Sequence, residues 1–317
     1  MQRAELIDTV RTILTRAGFY VSELCSIRPI GFDLVARRDN SLLIIKVLSN
    51  VDALSEEVAR ELRILSSLLR GSPILVGDRS GVGLLEIDAV YDRFGIPTIS
   101  PETLQHHLLE GIQLTIYAAP GGFYVKLDTE KLIRLRRQHN FSLGLFARSV
   151  KVSRRTVRMY EDGMNARVEV ASRIEDILEE PIAVPFDVLQ PTQSSEESIS
   201  PGQGERRTLQ DFQRQIFTIL QNMGYEIIPM ERCPFEAVSK DKDKILLTCV
   251  HRYDKKLKKK AHMINSISKI TEKHAVFFID KETSKTSIEG TPLIIRRELK
   301  KLRSPEDILE LILGRIS

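Results

Sequence analysis

The chain has 317 residues, 42% hydrophobic and 28% charged, with a formal net charge of +4. That length exceeds one ordinary core and calls for two or three domains. No apolar run is long enough to span a membrane, and the N-terminal MQRAELIDTVRTIL lacks the basic, apolar, small-residue order of a secretory leader, so a cytoplasmic protein is expected.

The first predicted element is an amphipathic helix carrying Leu6, Val10, Ile13 and Leu14 at helical spacing. The runs LLIIKVL (42–48) and SPILVG (72–77) are short, apolar and β-branched, the pattern of buried central strands. Gly95-Ile96-Pro97 then leads into another helix. Around Pro120-Gly121-Gly122, the segment QLTIYAAPGGFYVKLD reads as two strands joined in a hairpin. A helical stretch follows to about residue 185. Residues 186–207, rich in Ser, Gln, Glu, Pro and Gly, bury too little apolar surface to offset their ordering entropy and are expected to form a flexible linker.

Beyond the linker the first pattern returns. Thr12-Ile13-Leu14 and Gly18 reappear as Thr218-Ile219-Leu220 and Gly224; Phe32-Asp33 as Phe235-Glu236; the strand 42–47 as 245–250; Gly95-Ile96-Pro97 as Gly290-Thr291-Pro292. Repeats at near-constant offset point to a duplicated module. Each copy reads as helix, strand, strand, helix, strand, strand, helix, a mixed α/β sheet covered by helices. The expected division is an α/β domain at 1–115, a β-hairpin connector at 116–128, an all-α domain at 129–185, the linker at 186–207 and a second α/β domain at 208–317.

Charge is concentrated in the middle. Between Lys131 and Arg167 stand ten basic and two acidic residues, the footprint of a phosphate-binding module, although a solvated basic face has the same composition. Within it, LGLFARSVKVSRRTVRMYED (143–162) meets the demands of two helices crossing at a tight turn. Ala147 is small at the contact; Phe146, Val150, Val152, Val157 and Tyr160 fill the wedge; Ser153 can cap the second helix. Lys151 stands where such turns take glycine, at a cost of roughly 1 kcal/mol.

This pattern resembles the Cro/C1 type of helix-turn-helix. The resemblance implies that the second helix enters the major groove of double-stranded DNA. Arg154, Arg155 and Arg158 are then the expected base readers, with Thr156 in support and Ser153 as cap; Arg148 and Lys151 are expected on the phosphate backbone. Binding as a homodimer is the usual solution for one such motif. With Asp33 on one strand and Lys46 on the next, the outer domains resemble the restriction-endonuclease-like fold, whose active site adds a second acid two residues before the lysine. That position is Ile44, and the second copy carries Glu236, Leu247 and Cys249, so neither copy is expected to hold a working nuclease site. The run RYDKKLKKK (252–260) could meet flanking DNA or merely be solvated.

Taken together, the chain resembles archaeal helix-turn-helix transcriptional regulators. A non-enzymatic, sequence-specific regulator is expected. The alternative is a metal-dependent DNA nuclease, or a nuclease-derived protein of DNA binding or assembly. Three dispersed cysteines (Cys25, Cys233, Cys249), six histidines without ligand spacing and no glycine-rich phosphate loop predict no metal and no cofactor. No residue names an effector ligand.

Overall fold

The computed structural model describes residues 2–26, 31–190, 210–254 and 256–316. Most of the linker expected at 186–207 therefore lies outside the described residues. The chain forms two compact units that interleave in sequence: Met1–Ala17, Leu48–Leu54 and Ile74–Val188 in one, Gly18–Val47, Ser55–Pro73 and Leu189–Ser317 in the other.

The N-terminal module runs α1 (Arg3–Arg16), β1 (Tyr20–Val21), β2 (Leu34–Arg38), β3 (Ser41–Asn50), α2 (Glu56–Leu69), β4 (Ser72–Arg79), β5 (Ala89–Arg93), β6 (Ile96–Ile99) and α3 (Pro101–Gln105). Next come the hairpin β7 (Ile116–Ala119) and β8 (Gly122–Val125), then helices α4 (Thr129–Gln138), α5 (Leu143–Ser149) and α6 (Arg154–Glu161), the short β9 (Ala166–Arg167) and α7 (Val168–Leu178). The C-terminal module repeats the opening order: α8 (Gln210–Asn222), β10 (Glu226–Pro229), β11 (Ala237–Asp241), β12 (Lys244–His251), α9 (Lys256–Thr271), β13 (His274–Ile279), β14 (Ser287–Ile288), β15 (Thr291–Ile295), α10 (Arg296–Leu299) and α11 (Pro305–Leu313). Each copy holds more strands than its apolar runs announced, because β1, β5, β10 and β14 are short and partly exposed. Asp33, expected on a strand, lies immediately before β2, and Lys46 lies inside β3.

In the first unit the strand order is β4-β6-β5-β7-β8-β9. β4 and β6 run parallel, β7 and β8 antiparallel, and β8 pairs with β9. The hairpin and the four helices α4–α7 share one core, in which Val125, Leu132, Phe146, Val150, Val157 and Ile174 are almost fully buried. The segment that leaves α7 is held against that helix: Glu175 Oε1 accepts from the backbone N–H groups of Ile182 (2.8 Å) and Ala183 (3.0 Å).

The second unit contains β1-β2-β3 and the six-stranded sheet β10-β11-β12-β13-β15-β14. The two modules share a strand register. Leu34 pairs with Ile45 and Arg38 with Ser41, while Ala237 pairs with Thr248 and Asp241 with Lys244, the same ladder displaced by 203 positions. Elements of the two copies also meet inside this unit. Arg37 on β2 donates to the carbonyl of Ile270 (2.8 Å) and pairs with Glu272 (2.7 Å) at the end of α9. In the other direction, Arg70 after α2 pairs with Asp243 of the β11–β12 turn (3.3 Å).

Candidate nucleic-acid interface

The helices α5 and α6 owe their ends to local chemistry. Ser142 Oγ accepts from Leu145 N (3.2 Å) and Ser153 Oγ from Thr156 N (3.0 Å), so each helix starts on a serine cap. Between them Lys151 adopts φ +57°. Val152 N donates to the carbonyl of Ala147 (2.9 Å) and Lys151 N to that of Arg148 (3.2 Å). This pair of bonds is the left-handed helix stop usually given to glycine. Arg173 Nε holds the turn from α7 by donating to the carbonyl of Val150 (3.1 Å).

At 100° per residue, the buried Val157 and Tyr160 fix which side of α6 faces inward. Burial also pushes the Tyr160 phenol above its ordinary pKa, with Arg173 opposing. The opposite side carries Arg155, Arg158 and Met159, all exposed. Arg154 sits on the flank, its side chain laid over Gly144 of α5, where an added Cβ would stand 3.4 Å from its Nε. Thr156 lies on the other flank with Oγ1 2.8 Å from Ser153 Oγ. Arg148 and Lys151 are exposed at the end of α5 and in the turn. The seven expected residues thus lie along the end of α5, the turn and α6, and differ in exposure and in what their side chains touch.

Not every charge of the basic island faces solvent. Arg136 is 8% exposed. It donates to Glu161 at 2.5 and 3.4 Å and to the carbonyl of Phe141 at 2.8 Å, fastening α4 to the end of α6. Lys131 pairs with Glu180 (3.0 Å). In the sequence Arg136 is simply one of the ten basic residues between Lys131 and Arg167, and nothing there singles out Met159. The helical position of Arg136, one residue after the core residue Leu135 on an arginine-rich helix, gives little sign that it is buried.

The positions aligned with a nuclease site are also internally engaged. Asp33 is fully buried; its Oδ2 accepts from Val47 N (2.8 Å) and stands 3.8 Å from Lys46 Nζ. In the second copy Glu236 Oε2 accepts from Val250 N (2.8 Å), the same bond displaced by 203 positions, and Oε1 accepts from Lys260 Nζ (2.6 Å). Lys260 comes from α9 and supplies the cation that Cys249 cannot. Burial pushes the Cys249 thiol well above its ordinary pKa.

Three curated proteins illustrate what the chain is similar to, each named "Putative HTH-type transcriptional regulatory protein". The one from Methanocella arvoryzae is 38% identical over 315 residues, covering 99% of this chain and 97% of its own. Those from Methanosarcina acetivorans and Halorubrum lacusprofundi are 37% and 38% identical, covering 98% and 99% of this chain and 97% and 98% of theirs. The chain belongs to the family of these HTH-type regulatory proteins. Residues 3–114 also match the PD-(D/E)XK superfamily domain. No solved structure matches.

That superfamily implies a divalent metal, and this member of the regulator family does not fit one. Mg²⁺ and similar ions require several hard oxygen ligands. Here each copy offers one carboxylate, already bound to a backbone N–H and facing a lysine, and the second acid is replaced by the fully buried Ile44 or Leu247. Among the described residues, no group of three or more His, Cys, Asp or Glu is placed to hold a metal ion, and no helix is long and apolar enough to cross a membrane.

Proposed function

We propose that the chain is a sequence-specific, double-stranded DNA-binding transcriptional regulator, not an enzyme, acting in the cytoplasm. In this reading α5 and α6 form a Cro/C1-type helix-turn-helix and α6 enters the major groove. The observation that carries the reading is the outward side of α6: two exposed arginines on a helix whose start, stop and inner face are fully determined by the chain. Arginine matches the O6 and N7 acceptors of guanine with its fork of donors. Arg155 and Arg158 are assigned to base edges, with Arg154 and Thr156 flanking. Arg148 and Lys151 are assigned to phosphates, and Ser153 to presenting the first turn of α6. Met159 stands where an apolar contact to a thymine methyl would be made.

The domain division of the sequence is retained in this proposal: α/β at 1–115, hairpin at 116–128, DNA-binding domain at 129–185, linker at 186–207 and second α/β domain at 208–317. A homodimer is proposed, since a single motif meets few base pairs. The test is selection of bound duplexes from a random DNA pool by the full-length protein at near-physiological salt. A recovered motif with two-fold symmetry supports a dimeric regulator. Enrichment of no motif, with binding that vanishes on a modest rise in salt, overturns sequence specificity. The match to the PD-(D/E)XK superfamily favours nuclease activity as second reading; it requires DNA cleavage with Mg²⁺ or Mn²⁺ that is lost in Asp33→Ala.

A further inference from the structure

We propose that the strand-end edge of the C-terminal copy is a second DNA-binding surface, which grips the sugar–phosphate backbone of duplex DNA without reading its sequence; this rests on the reading above that DNA is the chain's ligand. The register builds the surface. β12, β13 and β15 are parallel neighbours in which His251, Ile279 and Ile295 lie level. The residues that follow therefore emerge side by side at strand spacings of about 4.8 Å: Arg252, then Lys281 one residue further on, then Arg296 and Arg297. α9 starts at the same end and adds Lys256 and Lys259, one turn apart. All six are exposed.

The acids of this edge are engaged. Asp254 accepts from the first N–H groups of α9, at Lys256 (2.8 Å) and Leu257 (3.1 Å). Asp280 accepts from Tyr253 N (3.3 Å), Glu282 is 3.8 Å from Arg297, and Glu236 is held by Lys260. Among the described residues, no ion pair holds Arg252, Lys256, Lys259 or Arg296. An edge with its carboxylates satisfied and these four cations in no ion pair attracts a polyanion and lacks the ligands to hold a metal.

The first copy supplies an internal control. At the positions corresponding to these six it carries Ser49, Ala53, Glu56, Asp78, Pro101 and Glu102. The same fold is thus made with no cation and three acids there, so the positive edge is not something the architecture requires. A base-blind role follows from its layout: short strand ends and one helix start offer point charges, with no element free to enter a groove.

The experiment uses the full-length protein and fluorescence anisotropy with a labelled duplex of arbitrary sequence, titrated at several salt concentrations. Arg252→Ala/Lys256→Ala/Lys259→Ala is expected to weaken binding at least tenfold. It should also flatten the slope of log affinity against log salt by about 0.9 for each phosphate no longer neutralised, two to three in total. Arg252→Lys/Lys256→Arg/Lys259→Arg keeps the charge and should keep both quantities. An unchanged slope with affinity within twofold of wild type overturns the proposal, as does a loss confined to structured RNA. Failure of the recognition-helix reading shows differently: Arg155→Ala/Arg158→Ala would then leave sequence discrimination intact, whatever the edge variant does.

Discussion

At the scale of single residues, the arginines of the central domain divide by position into two on the outward side of α6, one on its flank and one buried strut, and each class has its own expected phenotype. Arg155→Ala and Arg158→Ala should each reduce discrimination between the selected duplex and a scrambled one by about 1–3 kcal/mol. Binding competition between the two duplexes measures this, and Arg154→Ala should do less because its side chain lies over Gly144. Equal losses at all three would return the arginines to a uniform phosphate-facing role. Arg136 belongs to the fold. Its ion pair with Glu161 is nearly buried, with side-chain exposures of 10% and 14%. Removing one partner strands a charge, so Arg136→Ala should cost about 3–5 kcal/mol in urea denaturation, while the apolar pair Arg136→Met/Glu161→Leu recovers most of it. A loss below about 1 kcal/mol would make the pair an ordinary surface bridge.

At the scale of elements, the turn between α5 and α6 was legible because its chemistry is local. A small residue, a serine cap and the spacing of five apolar groups determine two helix ends within twenty residues, and the one discordant residue pointed to the strained position. Lys151 indeed holds the left-handed conformation, at φ +57°. Lys151→Gly should therefore raise stability by about 1 kcal/mol, seen as a higher denaturation midpoint with unchanged slope. The same variant should lose DNA affinity if Lys151 meets a phosphate. No gain in stability would mean the freedom glycine adds to the unfolded chain outweighs the relief of strain. Other elements were illegible for the complementary reason. β1, β5, β10 and β14 bury only part of their residues, so their pairing is dictated by neighbouring strands and leaves no periodic mark. Nor could the sequence disclose that Arg136 turns inward, or that Lys260 on α9 reaches Glu236, since both depend on distant elements coming together.

At the scale of the whole molecule, the two α/β modules use the position of a nuclease carboxylate for the same structural bond. Asp33 and Glu236 accept the backbone N–H groups of Val47 and Val250, and so hold the β2–β3 and β11–β12 ladders in identical register. Each of these carboxylates also has a lysine beside it, at 3.8 Å for Asp33 and 2.6 Å for Glu236, which offsets the cost of withdrawing it from water. The two copies supply the cation differently, Lys46 from the strand and Lys260 from the helix, 6% and 5% exposed. The sequence showed the absence of the strand lysine at Cys249 but not its replacement. If these pairs are structural, Lys46→Ala and Lys260→Ala should each lower stability by about 3 kcal/mol, with the charge-free pairs Asp33→Asn/Lys46→Met and Glu236→Gln/Lys260→Met closer to wild type. Mg²⁺ and Mn²⁺ should leave the melting temperature of the wild-type protein unmoved, because among the described residues no cluster of ligands is placed to hold them. A metal-dependent rise in melting temperature that disappears in Asp33→Asn would contradict the structural role and restore a metal site to the first copy. The same rise persisting in Asp33→Asn would locate the ion elsewhere and leave the two ion pairs as struts of the duplicated fold.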